Sequence, residues 1–138
     1  MDASVAIKWL FRWNDEEDDV RAALLLLQGV REGHLVMVQP PHFVAEVASV
    51  VAREAGASAK SLLADVLDLK MQIEASAETY RRAVALSQRL SHHLFDTLYH
   101  AVALETPGAV LVTADERYHR AARGEGCIVR LSEFQAGR

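Results

Sequence analysis

The 138-residue chain is predicted to fold as an α/β domain with helices on both faces of a mostly parallel sheet. Two observations carry that expectation. Short apolar runs bounded by turn residues alternate with longer stretches of helical rhythm. No linker, internal repeat or low-complexity tract divides the chain, and its length with 51% hydrophobic residues suffices for one core.

Residues 1–3 read as the tail of a strand and residues 4–11 as a helix, with Trp9 and Phe11 as core side chains. The acidic run Asp15-Glu16-Glu17-Asp18-Asp19 suits the N-terminus of a helix over 20–31, where acids complement the helix dipole, and Gly33 ends it. Residues 35–38 form a short buried strand, and Pro41 opens a helix over 42–55 that stops at Gly56. Ser58 caps a helix over 59–69, and 71–73 is a second strand. A helix over 77–90 presents Tyr80, Val84, Leu86 and Leu90 as a face, with Arg81, Arg82 and Arg89 solvated. A helix over 95–105 ends at Pro107-Gly108, and 109–112 is a strand. A helix over 115–123 stops at Gly124 and Gly126, a last strand covers 127–131, and 133–138 frays.

Composition excludes several classes. There is no apolar run of membrane-spanning length and no basic-then-apolar signal peptide, so a cytoplasmic protein without a membrane partner is expected. The single cysteine, Cys127, excludes an internal disulfide and a cysteine-rich zinc site, and reads as a core thiol. A net charge of −4 argues against general, charge-driven nucleic-acid binding. The acid excess is local: residues 1–70 carry 7 basic and 11 acidic side chains, and residues 71–138 carry 8 of each.

Four acids stand out because each lies in or beside an apolar segment. Asp96 is the one formal charge in Leu94-Phe95-Asp96-Thr97-Leu98-Tyr99-His100-Ala101-Val102-Ala103-Leu104, a stretch apolar enough around its circumference to be buried. Asp2 lies in Met1-Asp2-Ala3-Ser4-Val5, Glu46 in Val44-Ala45-Glu46-Val47, and Asp115 after Val110-Leu111-Val112-Thr113-Ala114. An ionised carboxylate in such surroundings is costly unless paired, hydrogen-bonded or metal-bound. Asp2, Asp96 and Asp115 each also stand where a helix begins, so each taken alone reads first as an N-cap. Glu46 is mid-helix, and its bland reading is a side chain turned to solvent. The joint pattern is what points to function. In open parallel sheets ligands collect at the C-terminal edge, and the predicted elements bring all four to that rim.

Hard cations such as Mg²⁺ and Mn²⁺ take oxygen ligands, and Mg²⁺ retains several waters. The reaction class such a cluster implies is phosphodiester hydrolysis by a metal-activated water. Ser4 and Thr113 are candidate supports for Asp2 and Asp115. The pair His92-His93 reads as exposed loop histidine, and His34, His42, His100 and His119 show no ligand spacing. There is no Gly-rich phosphate loop, no Gly-x-Ser-x-Gly elbow and no Cys/His dyad.

Asp2-Ala3-Ser4-Val5-Ala6-Ile7-Lys8-Trp9, Ala45-Glu46-Val47-Ala48, Phe95-Asp96-Thr97-Leu98-Tyr99-His100-Ala101-Val102-Ala103 and Thr113-Ala114-Asp115-Glu116-Arg117-Tyr118 resemble the PIN-domain family, and within it the VapC-type toxins of toxin–antitoxin pairs. The order and spacing of these segments over nearly the whole chain carry the resemblance. It implies a three-layer α/β/α sandwich and Mg²⁺- or Mn²⁺-dependent endoribonuclease activity. It implies an acidic site of Asp2, Glu46, Asp96 and Asp115, Asp115 being the most peripheral, with Ser4 and Thr113 as supporting hydroxyls. It also implies a homodimer and a small cognate antitoxin that covers the site. Lys8, Arg117 and Arg120 are candidate RNA contacts. One departure stands: relatives carry several apolar residues before the first Asp, forming a central strand, whereas here Met1 alone precedes it. Either that strand is shortened or the natural protein is longer. Two other readings are an inert PIN-like interaction module and an RNA-processing or DNA-directed PIN nuclease outside toxin–antitoxin pairs.

Overall fold

Helices and short strands alternate through the described residues, 1–12 and 17–135 of the computed structural model. Trp13, Asp15 and Glu16, and residues 136–138 of the tail, lie outside them. The order is α1 (Ala3–Leu10), α2 (Glu17–Arg31), β1 (Met37–Gln39), α3 (Phe43–Glu54), α4 (Ala59–Leu67), β2 (Met71–Ile73), α5 (Ala77–Leu90), α6 (Leu94–Glu105), β3 (Leu111–Thr113), α7 (Glu116–Ala122) and β4 (Ile128–Arg130). Every predicted helix and strand after residue 3 is present; 71–73 and 77–90 match at both ends, and no other end is displaced by more than three residues.

Side-chain caps mark three helix starts. Asp2 accepts from the Ser4 N–H ahead of α1, Ser76 from the Thr79 N–H ahead of α5, and Asp115 from the Tyr118 N–H ahead of α7. Ser58 does not cap α4; it ends a 3₁₀ turn, Gly56–Ser58, and makes no capping bond. α5 ends at Ser91, whose φ of 54° turns the chain into α6.

The strands form two parallel pairs. β1 pairs with β2, Met37 opposite Met71, and β3 pairs with β4, Leu111 opposite Ile128. Residues 1–3 do not make a strand: Ala3 already begins α1, and a backbone bond from the Asp2 N–H to the Val112 carbonyl, 3.2 Å, ties this end of the chain to β3. The expected sheet is therefore split between β1 and β3. α6 packs on both β1 and β3 and lies against α5, and so bridges the two pairs.

Thr97 to Ala103 of α6 are buried without interruption, matching the apolar rhythm of that stretch, while Phe95 is 59% exposed. The main core joins α1 (Val5, Trp9), α3 (Phe43, Val47) and β3 (Leu111, Val112); Phe11 belongs to it as expected. A second cluster, Ala83, Leu86, Leu98 and Ala101, lies between α5 and α6. The expected face of α5 needs correction. Tyr80 and Val84 are exposed, and the buried residues are Thr79, Ala83 and Leu86. Small residues let the two helices approach, and the Thr97 hydroxyl donates to the Ala83 carbonyl at 2.8 Å. Arg81, Arg82 and Arg89 form surface ion pairs with Glu78, Glu105 and Glu125. Cys127 is exposed at φ 52°, in the turn after Gly126, and is not the core thiol its apolar neighbours suggested.

Enlarging the closest α5–α6 contact checks this packing. Ala83→Leu is expected to destabilise the protein by about 1–3 kcal/mol, read from the urea midpoint. A variant as stable as the parent would contradict the close approach of α5 and α6.

Candidate active site

Strand ends and helix starts position the acidic residues. Asp2 and Asp115 are helix N-caps, as the bland reading of each anticipated. Asp96 is in the first turn of α6 but is not its cap, a position held by His93. Glu46 lies in the first turn of α3, just beyond β1.

Hydroxyls join one carboxylate, that of Asp2, to the backbone at Ala114 and Asp115. The Ser4 and Thr113 hydroxyls donate to the two carboxylate oxygens of Asp2, Oδ1 and Oδ2 respectively. The Asp115 N–H donates to Thr113 Oγ1 at 3.0 Å, and the Ala114 N–H donates to Ser4 Oγ at 3.1 Å. Thr113 therefore bridges residues 2 and 115, and each hydroxyl both accepts and donates, which strengthens the chain of bonds.

Glu46 is held differently. The Tyr99 hydroxyl donates to Glu46 Oε2, and His42 Nε2 stands 3.7 Å from the same oxygen. His42 packs on the Tyr99 ring, centroids 4.5 Å apart, and its Nε2 lies 2.9 Å from the Phe95 carbonyl, next to Asp96. Sequence reasoning missed Tyr99 and His42. Tyr99 is three residues after Asp96, on the same helical face, and that spacing was the available signal.

The electrostatics show crowding. Burial raises the Asp2 pKa above the ordinary 3.8, the Ser4 and Thr113 bonds partly offset this, and Asp115 adds repulsion. Burial raises Asp96 as well, Asp115 adds to it, and His92, His93 and His42 oppose it without cancelling it. Burial, the bond to Glu46 and the fields of Glu46, Asp2 and Asp96 push the Tyr99 hydroxyl far up, so it stays a donor. Asp115 therefore acts on both Asp2 and Asp96, and Glu46, Asp2 and Asp96 all act on Tyr99. A shallow groove of about 430 Å³ runs beside Glu46 and Phe95, with Ile7 and Val50 in its walls.

Among the described residues, no three Asp, Glu, His or Cys side chains are close enough to enclose one ion. The donor set is nevertheless all hard oxygen. Carboxylates that do not close into a cage suit, of the metals, a hard dication that keeps several of its waters. Of the candidate RNA contacts, Arg117 and Arg120 are exposed on α7 beyond Asp115, while Lys8 pairs with Asp19 at 3.2 Å. No helix of the described residues is long and apolar enough to cross a membrane.

The raised carboxyl values fix a pH dependence. The folded chain binds the Asp96 proton more tightly than the unfolded chain does. The penalty of ionising Asp96 is therefore fully present above its raised pKa, and it is relieved as pH falls towards the ordinary 3.8. Asp96→Asn is expected to raise Tm at about pH 7 and to leave a smaller difference at about pH 4. Equal melting curves at both values would contradict the crowding.

Comparison with known proteins adds a separate line of observation. The PIN domain family model matches residues 1–124. Ribonuclease VapC3 of Mycobacterium tuberculosis, in strains CDC 1551 / Oshkosh and ATCC 25618 / H37Rv, is 35% identical over 125 residues, covering 88% of this chain and 85% of the relative. No solved structure gives a significant match.

Proposed function

The chain belongs to the PIN domain family, and from that premise we propose that it is an endoribonuclease dependent on Mg²⁺ or Mn²⁺, the toxin of a VapBC-type pair. The observation that carries the reading is the repulsion of Asp115 on both Asp2 and Asp96, with Thr113 bridging residues 2 and 115, in a chain 35% identical to a ribonuclease.

Asp2, Glu46 and Asp96 would hold the cation, with Asp115 at the periphery through water. When bound, the cation supplies positive charge beside the phosphoryl group and makes water nucleophilic near neutral pH. The chain's own residues set the frame. Ser4 and Thr113 fix both oxygens of Asp2, and Tyr99 fixes one oxygen of Glu46. The Asp96 carboxylate accepts no hydrogen bond among the described residues, which leaves both oxygens available for a ligand. The groove beside Phe95 gives the RNA strand a path to the rim, and Arg117, Arg120 and Lys8 guide its phosphates. A cognate antitoxin laid in that groove would cover the rim, and a homodimer and a cytoplasmic site of action complete the reading.

One observation favours the alternative of an inert interaction module: the absence, among the described residues, of three side chains converged on one point. Metal titration separates the two. Mn²⁺ at 100 times its dissociation constant is expected to stabilise a competent site by about 2.7 kcal/mol, whereas an inert module shows no shift. Cleavage-site mapping on total cellular RNA is expected to show cuts only with Mg²⁺ or Mn²⁺. Asp96→Asn is expected to slow cleavage by about 100-fold or more, as loss of a charge-stabilising group does, while keeping the fold. Cleavage by that variant at the parent rate would remove the proposal. A neighbouring small gene for an antitoxin discriminates a toxin from an RNA-processing or DNA-directed nuclease.

A further inference from the structure

A buried pair of polar rings joins the helices that follow Asp96 and Asp115. His100 lies one helical turn after Asp96 on α6 and is 0% exposed. Tyr118 lies three residues after Asp115 on α7 and is buried too. The Tyr118 hydroxyl stands 3.0 Å from His100 Nδ1, and His100 Nε2 stands 2.7 Å from the Gly126 carbonyl. Among the described residues, the first of these is the one side-chain hydrogen bond between α6 and α7.

The partners fix where the protons sit. A carbonyl can only accept, so Nε2 carries the ring hydrogen and Nδ1 keeps a lone pair for the Tyr118 O–H. Burial favours that neutral ring by lowering the His100 pKa, against the Gly126 bond and the field of Glu125. Burial also raises the Tyr118 hydroxyl, with Asp96, Glu125 and Asp2 adding to it, so it stays a donor. No proton transfer is asked of either ring.

Both ends of this bond lead to the acids by short paths. The Tyr118 N–H donates to Asp115 Oδ1 at 2.9 Å, so Tyr118 holds Asp115 with its backbone and His100 with its side chain. α7 is only seven residues long, and its buried residues are Tyr118 and Ala122, so its seat depends on that ring. His92, in the turn that leads into α6, packs edge-on against the same ring, centroids 5.1 Å apart. The Ser87 hydroxyl holds the His92 carbonyl at 2.5 Å. Asp115 meanwhile repels Asp96. Two like charges that push apart keep a set separation only if their helices are tied, and the tie lies about one turn behind each.

We propose that His100 and Tyr118 are positioning residues whose hydrogen bond fixes the separation of Asp96 and Asp115, and thereby sets how tightly these acids hold a divalent cation. The second half of the proposal rests on the metal-dependent reading given above; the first half does not. Groups that orient metal ligands from behind typically change affinity by about 10- to 100-fold when removed.

The test uses the full chain as parent, Tyr118→Phe, His100→Phe and the double variant, with Val66→Ala as a control that loosens the core at α4. Two quantities are read: the amide NMR shifts of residues 96 and 115 without metal, and the Mn²⁺ concentration that gives half-maximal cleavage of total cellular RNA. Tyr118→Phe keeps the ring and loses the hydroxyl. It is expected to move both amides and to raise the Mn²⁺ midpoint about tenfold, with a smaller fall in the rate at saturating Mn²⁺. The double variant is expected to match His100→Phe, because both changes break one bond. Val66→Ala is expected to lower Tm and to move neither quantity. An unmoved Asp96 amide in Tyr118→Phe would overturn the proposal, as would an unchanged Mn²⁺ midpoint or an equal rise in Val66→Ala. Losses that add in the double variant would overturn the shared bond. A parent indifferent to Mn²⁺ would overturn the cation reading and the affinity half with it, while the metal-free shifts would still decide whether the bond sets the spacing.

Discussion

Bringing like charges together is the constraint on which this structure turns. Exposed Asp115 stands within reach of both Asp2 and Asp96, and burial makes the ionised carboxylates of those two expensive. The fold answers at Asp2 with hydroxyls first and the Met1 ammonium second. Ser4 and Thr113 donate to the two oxygens of Asp2, and backbone N–H groups of Ala114 and Asp115 donate to those hydroxyls in turn. This single chain of bonds fastens α1 to the end of β3. The N-terminal helix and the β3–β4 pair thus meet at the site itself, and the site is part of what holds them together.

α6 is the second constraint. It spans both strand pairs, packs on α5 through small residues, and delivers Asp96 and Tyr99 from one helical face. Tyr99 reaches across to Glu46 while His42 packs against its ring. The acid from α3 is thus tied to the acid from α6 by an aromatic donor whose pKa is raised too far for it to ionise. The positions are set by rigid elements, which is what a site of separated acids requires. The remaining repulsion is the energy that a hard dication would relieve.

Much of this was legible in the amino-acid sequence, and the reasons are local. The uninterrupted apolar rhythm after Asp96 announced a buried helix, and Thr97–Ala103 are buried. Single acids in apolar runs marked Asp2 and Asp96, whose carboxyl pKa values burial raises, and Glu46, which Tyr99 holds. The misreadings arose where tertiary contacts choose among equal local options. α5 could bury Tyr80 and Val84 or Thr79 and Ala83, and the close approach of α6 selects the small pair. Cys127 looks like a strand residue beside Ile128 and Val129, but the turn from Gly126 places it in a left-handed conformation at the surface. Tyr99 and His42 were passed over because neither carries a charge pattern; their role appears only once α3 and α6 are side by side.

The central claim is that these carboxylates form a single cation-binding rim. Paramagnetic broadening by substoichiometric Mn²⁺ tests it most directly, read on the backbone amides of the folded protein. The account predicts that Asp2, Glu46, Asp96, Thr113 and Asp115 lose intensity together and first, and that Asp96→Asn weakens the effect at all of them. Broadening that begins instead at the acidic run 15–19, with the rim untouched, would contradict it.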